Sequence, residues 1–231
     1  MFFDPIYFLF IGPGLLLSVW ASFRVKRAFN KYSKVRSARG LTGAEAAQEM
    51  LDCAGIADVK VVPTSGWLSD HYNPVNKTLA LSESVYRSNS IAAIGVATHE
   101  AGHAIQHAQN YAPLWVRSTL VPTASIGSGV GYMVMMLGLV FASTNMVLAG
   151  AILFSAVLLF QIVTLPVEFN ASSRAKVLVV EYGIISAQER EGMDRVLNAA
   201  ALTYVAAAVS TLLTLLYFLL RSGLLGGGRR D

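Results

Sequence analysis

Charge is what this chain has least of. Only 14% of its 231 residues are Asp, Glu, Lys or Arg, against roughly 25% in a soluble domain. The shortage is concentrated: no charged residue lies between Arg117 and Glu168, and none between Arg195 and Arg221. Charge-free runs of that length are hard to bury in a small soluble core and suit lipid. Cysteine is nearly absent as well. With Cys53 alone, an internal disulfide is excluded and a secreted, disulfide-stapled domain has no support. Cys53 itself reads as core packing. No segment repeats at a fixed period, which argues against a solenoid.

What charge there is leans positive, with a formal net of +4. Seven of the eighteen basic residues fall between Arg24 and Arg39, directly after an apolar stretch. A membrane-flanking cluster accounts for them, and nucleic acid is not an expected partner.

The apolar stretches predict four membrane spans. Ile6 to Phe23 is uncharged and close to the ~20 residues that cross a hydrocarbon core. Its basic residues follow the apolar run instead of preceding it, so it reads as a span and not as a cleaved signal peptide. The block from Ser118 to Val167 holds two spans turned at Ser143-Thr144-Asn145. A fourth runs from about Ala199 to Leu220, where Ala206, Ala207 and Ala208 permit close packing. The segments are thus 1–23, a first span; 24–117, a polar segment; 118–167, a hairpin of two spans; 168–198, a second polar segment; and 199–231, a fourth span with a loose Gly-rich tail from Gly226. Eleven basic residues lie between the first and second spans, four between the third and fourth, and three on the other side. The positive-inside tendency then places 24–117 and 168–198 in the cytoplasm of a multi-pass cell-membrane protein.

Within the first polar segment, Thr42-Gly43-Ala44-Glu45 has capping-box spacing, with Ala46, Ala47, Met50 and Leu51 behind it and Gly55 as a stop. Val59 to Val62, Trp67 to Tyr72 and Thr78 to Leu81 read as short strands, the last two joined through Asn73-Pro74.

Chemistry enters at His99-Glu100-Ala101-Gly102-His103. On a helix, histidines four residues apart project from one face and can share a zinc ion, while the glutamate between them can take a proton from water at the metal without being a ligand. The apolar run Ile91 to Ala97 would bury the helix ahead of this motif. It is too short to cross a bilayer, which weakens the reading of an intramembrane protease. A hydrolytic zinc site usually has three protein ligands and an open position. His107 lies eight residues after His99, about 12 Å along a helix, too far for both to bind one ion. Glu168 is the better third ligand, following the third span on the predicted side of His99, with Pro166 suited to the first turn of a new helix. His71 or Tyr72, on the strand before the motif, could donate a hydrogen bond to the oxyanion formed at an attacked carbonyl. Plain turn chemistry for Asp70-His71-Tyr72-Asn73-Pro74 is the competing reading.

Leu41 to Glu45, Leu68 to Pro74, Leu81 to Tyr86, Val96 to Gln106 and Leu165 to Ala175 together resemble the YugP-like neutral zinc membrane metallopeptidases over nearly the whole chain. The resemblance implies a membrane zinc peptidase with His99, Glu100 and His103 in its motif and Glu168 as third ligand. It is also similar to the wider gluzincin group, in which an aspartate four residues after the glutamate ligand often orients a zinc-bound histidine. Ser172 stands at that place here, so such support is expected from Ser172, Asn170 or elsewhere.

The expectation is a predominantly α integral membrane protein of four transmembrane helices with a small α+β cytoplasmic metallopeptidase part. Zn2+ is the expected cofactor, although His, His and Glu would also accept cobalt or manganese. The expected partners are a protein or peptide substrate, membrane proteins among them, the lipid bilayer, and a regulatory membrane partner or a second copy. The alternative is a non-enzymatic scaffold or adaptor with a closed structural zinc site. A transporter ranks last, because the spans lack Asp, Glu, Lys, Arg and His.

Overall fold

The computed structural model describes residues 4–66 and 69–225. The protein is a predominantly α membrane fold. Four helical stretches are long and apolar enough to cross a bilayer: Pro5–Tyr32, Ala112–Val140, Thr144–Glu181 and Ala187–Arg221. Their outward side chains are themselves apolar, with Leu9 70% and Leu16 71% exposed, as expected of surfaces solvated by lipid. The expected tail from Gly226 lies outside the described residues, as do Trp67 and Leu68 of the expected second strand.

The chain divides into two compact units, 1–21 with 115–165 and 202–231, and 22–114 with 166–201. The first unit is apolar. It holds most of α1 (Pro5–Tyr32), α5 (Ala112–Ile126), a short π-helical stretch at Gly127–Gly131, α6 (Tyr132–Val140), and parts of α7 (Thr144–Glu181) and α8 (Ala187–Arg221). A tight turn after α6, with Ala142 at φ +51°, closes the expected hairpin. Its two arms approach through glycines. A Cβ on Gly138 would stand 2.6 Å from the Val147 nitrogen, and one on Gly150 2.6 Å from the Met135 nitrogen. With little hydrophobic drive between helices in lipid, such backbone proximity and its dispersion gain hold the pair.

The second unit is built around one helix. α2 (Gly43–Cys53) opens with the expected capping box: the Thr42 hydroxyl accepts from the Glu45 amide, and the Glu45 carboxylate accepts from the Thr42 amide. It ends at Gly55, whose φ of +72° suits a residue without a Cβ. Three strands, β1 (Lys60–Thr64), β2 (His71–Asn73) and β3 (Thr78–Ser82), make a sheet in the order β1-β3-β2, with β1 parallel and β2 antiparallel to β3. β3 is central and buried, which leaves β2 as an edge. A single turn, α3 (Glu83–Tyr86), leads to α4 (Ile91–Ala108), whose first turn is capped by Ser90. α4 is buried over most of its length against Met50, Leu51, Leu79, Leu81, Val179 and Met193. Each such aliphatic side chain contributes about 1.5–3 kcal/mol relative to exposure, so the helix bearing the motif is among the most firmly held parts of the chain.

Three local expectations are corrected. Pro166 does not begin a helix; α7 continues through it from Thr144 to Glu181. The missing N–H costs one helical hydrogen bond, which the long run on both sides outweighs. Cys53 is exposed at the end of α2 and is not core packing. The second strand is shorter and later than expected, because Ser69 and Asp70 precede it as irregular chain in which Asp70 accepts from the Ser82 amide and hydroxyl.

Candidate metal centre

α4 brings His99, Glu100 and His103 to one region by its own periodicity; the rest comes from α7. A Cβ on Gly102 would lie 2.7 Å from the Ala171 carbonyl oxygen. Only glycine allows α4 to approach α7 this closely, and the approach delivers Glu168, Ser172 and Asn170 to the motif. The Nε2 atoms of His99 and His103 lie 3.2 and 3.5 Å from Glu168 Oε2. The two rings are 4.8 Å apart and nearly perpendicular. Glu168 is 2%, His103 6% and Glu100 9% exposed.

The donor set suits zinc. One potential ligand atom from each of His99, His103 and Glu168 lies within 4.8 Å of the others, the only such group of three or more among the described residues. Two ligand atoms each about 2 Å from a tetrahedral ion stand roughly 3.3 Å apart, and the two His-to-Glu separations bracket that value. Two imidazoles and one carboxylate would leave a tetrahedral ion one open position.

The outer nitrogens of both rings are held. Ser172 Oγ lies 3.1 Å from His99 Nδ1, so the serine at the expected aspartate position does reach the ring. Behind His103 stands Gln106, fully buried, with Oε1 2.9 Å from Nδ1. The Gln106 amide donates in turn to the Val167 carbonyl at 2.8 Å and to Asn170 Oδ1 at 2.9 Å. The zinc motif does not mark Gln106; the signal for it in the sequence is a polar residue at i+3 from His103 on the same apolar helix. Nor does the motif mark Gly102, whose role shows only in its closeness to Ala171. Burial alone would suppress charge on the His103 ring, but the Glu168 hydrogen bond and the nearby Glu100 and Glu168 charges outweigh it and hold its pKa above the ordinary histidine value.

The remaining expected site residues are placed differently. Tyr72 is half-buried, with its hydroxyl 2.7 Å from Nδ1 of His107, one helical turn beyond His103. Burial, with the Asp58 charge adding to it, pushes the phenol up to about 12, so it stays neutral. His71 is exposed, and its Nδ1 lies 2.7 Å from the Ser69 carbonyl oxygen. His107 is outside the metal cluster, in keeping with its distance along the helix.

Comparison with known proteins agrees with this chemistry. Residues 7–223 match the model of a family described as "Putative neutral zinc metallopeptidase". The chain belongs to this metallopeptidase family. It is also 49% identical over 214 residues to the "Putative membrane protease YugP" of Bacillus subtilis (strain 168), a match covering 92% of this chain and 95% of that protein. No solved structure matches. Family and relative together support a zinc-linked membrane protease.

Proposed function

We propose that this member of the family is a gluzincin-type zinc endopeptidase in which His99, His103 and Glu168 hold the metal and Glu100 is the general base. The observation that carries the reading is the convergence of Glu168, from a helix 69 positions further along the chain, on both motif histidines at separations fitting one ion. Bound zinc would supply Lewis acidity and lower the pKa of water in the open position. The Glu100 carboxylate takes the proton of the attacking water and later returns it to the leaving amine. Tyr72, kept neutral, can donate a hydrogen bond to the oxyanion, and its position on the same face of α4 through His107 favours it over the exposed His71. Edge strand β2 offers backbone groups along which an extended peptide can pair. His71, at the start of that strand, is then a contact for the substrate chain.

The active site works on the cytoplasmic side, close to the membrane, on membrane proteins or tethered segments. The support is the count of basic residues and the chain itself, which leaves its charge-free run at Val167, immediately before Glu168. A scaffold with a structural site would need a fourth protein ligand, and the cluster among the described residues has three. The test is metal content together with cleavage of an unfolded protein by the detergent-purified chain. Wild type should carry about one zinc and cleave; Glu168→Ala should lose both properties. Stoichiometric zinc with no cleavage of soluble or membrane-tethered substrates would favour the scaffold.

A further inference from the structure

We propose that Gln106, Asn170 and Arg174 form a one-way hydrogen-bond chain that positions His103 and sets its tautomer for metal binding. The proposal rests on the metal-centre reading and goes beyond it, since none of the three residues is a ligand.

The direction follows from groups that can act in only one sense. Arg174 is always a donor. Its Nε lies 2.7 Å from Asn170, so the Asn170 atom facing it is the oxygen. The Val167 carbonyl can only accept. Both partners of the Gln106 nitrogen, Val167 O and Asn170 Oδ1, are therefore acceptors, and its two hydrogens are committed to them. The atom left facing His103 is Gln106 Oε1, an acceptor at 2.9 Å. His103 Nδ1 must then carry the proton, which leaves the Nε2 lone pair directed to the side where Glu168 lies.

The far end is fixed too. Arg174 Nη1 donates to Gln109 Oε1 at 2.5 Å, and the guanidinium lies 5.9 Å from the centre of the Tyr111 ring. Arg174 thus spans from α7 to the residues just after α4, bracketing the stretch that contains Gln106. Among the described residues, His99 is held by a different device. Its Nδ1 faces the Ser172 hydroxyl, which can donate or accept and so leaves the tautomer open. The two histidines differ in how they are prepared: His103 is set before the metal arrives, and His99 adjusts to it.

The experiment is zinc affinity by chelator competition on the full-length protein in detergent, with thermal unfolding of each metal-free variant alongside. Gln106→Met keeps the volume and removes the acceptor; it should weaken zinc binding about tenfold or more. Asn170→Leu should weaken it in the same direction. Asn170→Asp retains an oxygen that accepts from both Arg174 and Gln106, and should bind zinc at least as tightly as wild type. A merely structural role would lower the unfolding temperature without separating Asp from Leu in zinc affinity. Folded Gln106→Met with wild-type affinity, or Asn170→Asp as damaging as Asn170→Leu, would overturn the proposal. If Gln106→Met does not fold, the Asn170 pair decides. A wild-type protein that binds no zinc would sink the metal-centre reading first, an outcome visible before any variant is compared.

Discussion

Both units bring helices together through glycine, but to different ends. In the apolar unit, Gly138 and Gly150 let the hairpin arms touch backbone to backbone, and what is gained is packing between surfaces that lipid would otherwise solvate equally well. In the polar unit, Gly102 lets α4 meet α7 at Ala171, and what is gained is position: a carboxylate and a hydroxyl arrive on two histidines, and the Asn170 amide oxygen arrives on Gln106 behind one of them. The lesson is that close approach by itself carries no chemistry. It becomes a site where the neighbouring turns bear buried polar groups that need partners.

The largest expected effect confines itself to the polar unit. Glu100→Gln should lower peptide cleavage by about 10²–10⁴-fold while zinc content stays at the wild-type level, measured by metal analysis beside a proteolysis assay. Loss of zinc in this variant would make Glu100 part of the ligand shell. Next comes the direct comparison of glycines. Gly102→Ala should cost about 1–3 kcal/mol of stability through overpacking and also weaken zinc binding, because the added methyl pushes the Ala171 backbone and its neighbours away. Gly138→Ala should cost a similar amount and leave zinc affinity untouched. Equal zinc affinity in both would mean that the α4–α7 approach does not set the site.

A smaller effect follows from pH. A metal ligand must be a neutral imidazole, and His103 holds its proton more tightly than an ordinary histidine. Zinc affinity should therefore be full on the alkaline side and fall as pH drops through that raised pKa, beginning above the ~6.5 of a free side chain. Zinc affinity measured by chelator competition across pH checks this; an affinity that stays level down to pH values well below 6 would contradict it. Smallest is Thr42→Ala, which removes the capping box of α2 and should cost about 1 kcal/mol with no change in zinc affinity or cleavage, read by denaturant unfolding.

Much of this was legible along the chain because the physics is local. The charge-free runs mark what lipid can solvate, the four-residue spacing of His99 and His103 places them on one helical face, and Thr42 with Glu45 caps the helix they begin. Span ends were less legible. α1 continues into the basic cluster as far as Tyr32, and α8 starts at Ala187, because helix formation does not stop where hydropathy does. Pro166 shows the same limit: a proline signals a first turn locally, yet a long helix can absorb the lost hydrogen bond.

The sequence by itself determined the class of chemistry and the membrane character, since both depend on residue type and on spacings within a few turns. Only the tertiary structure decided which oxygen meets the histidines and what stands behind each ring. Gln106 stands behind His103 by local spacing, but the contacts that hold Gln106 and those that bring Glu168 and Ser172 to the rings join positions 61 to 73 residues apart, and they exist because Gly102 lets two helix backbones come close enough for the side chains around it to meet.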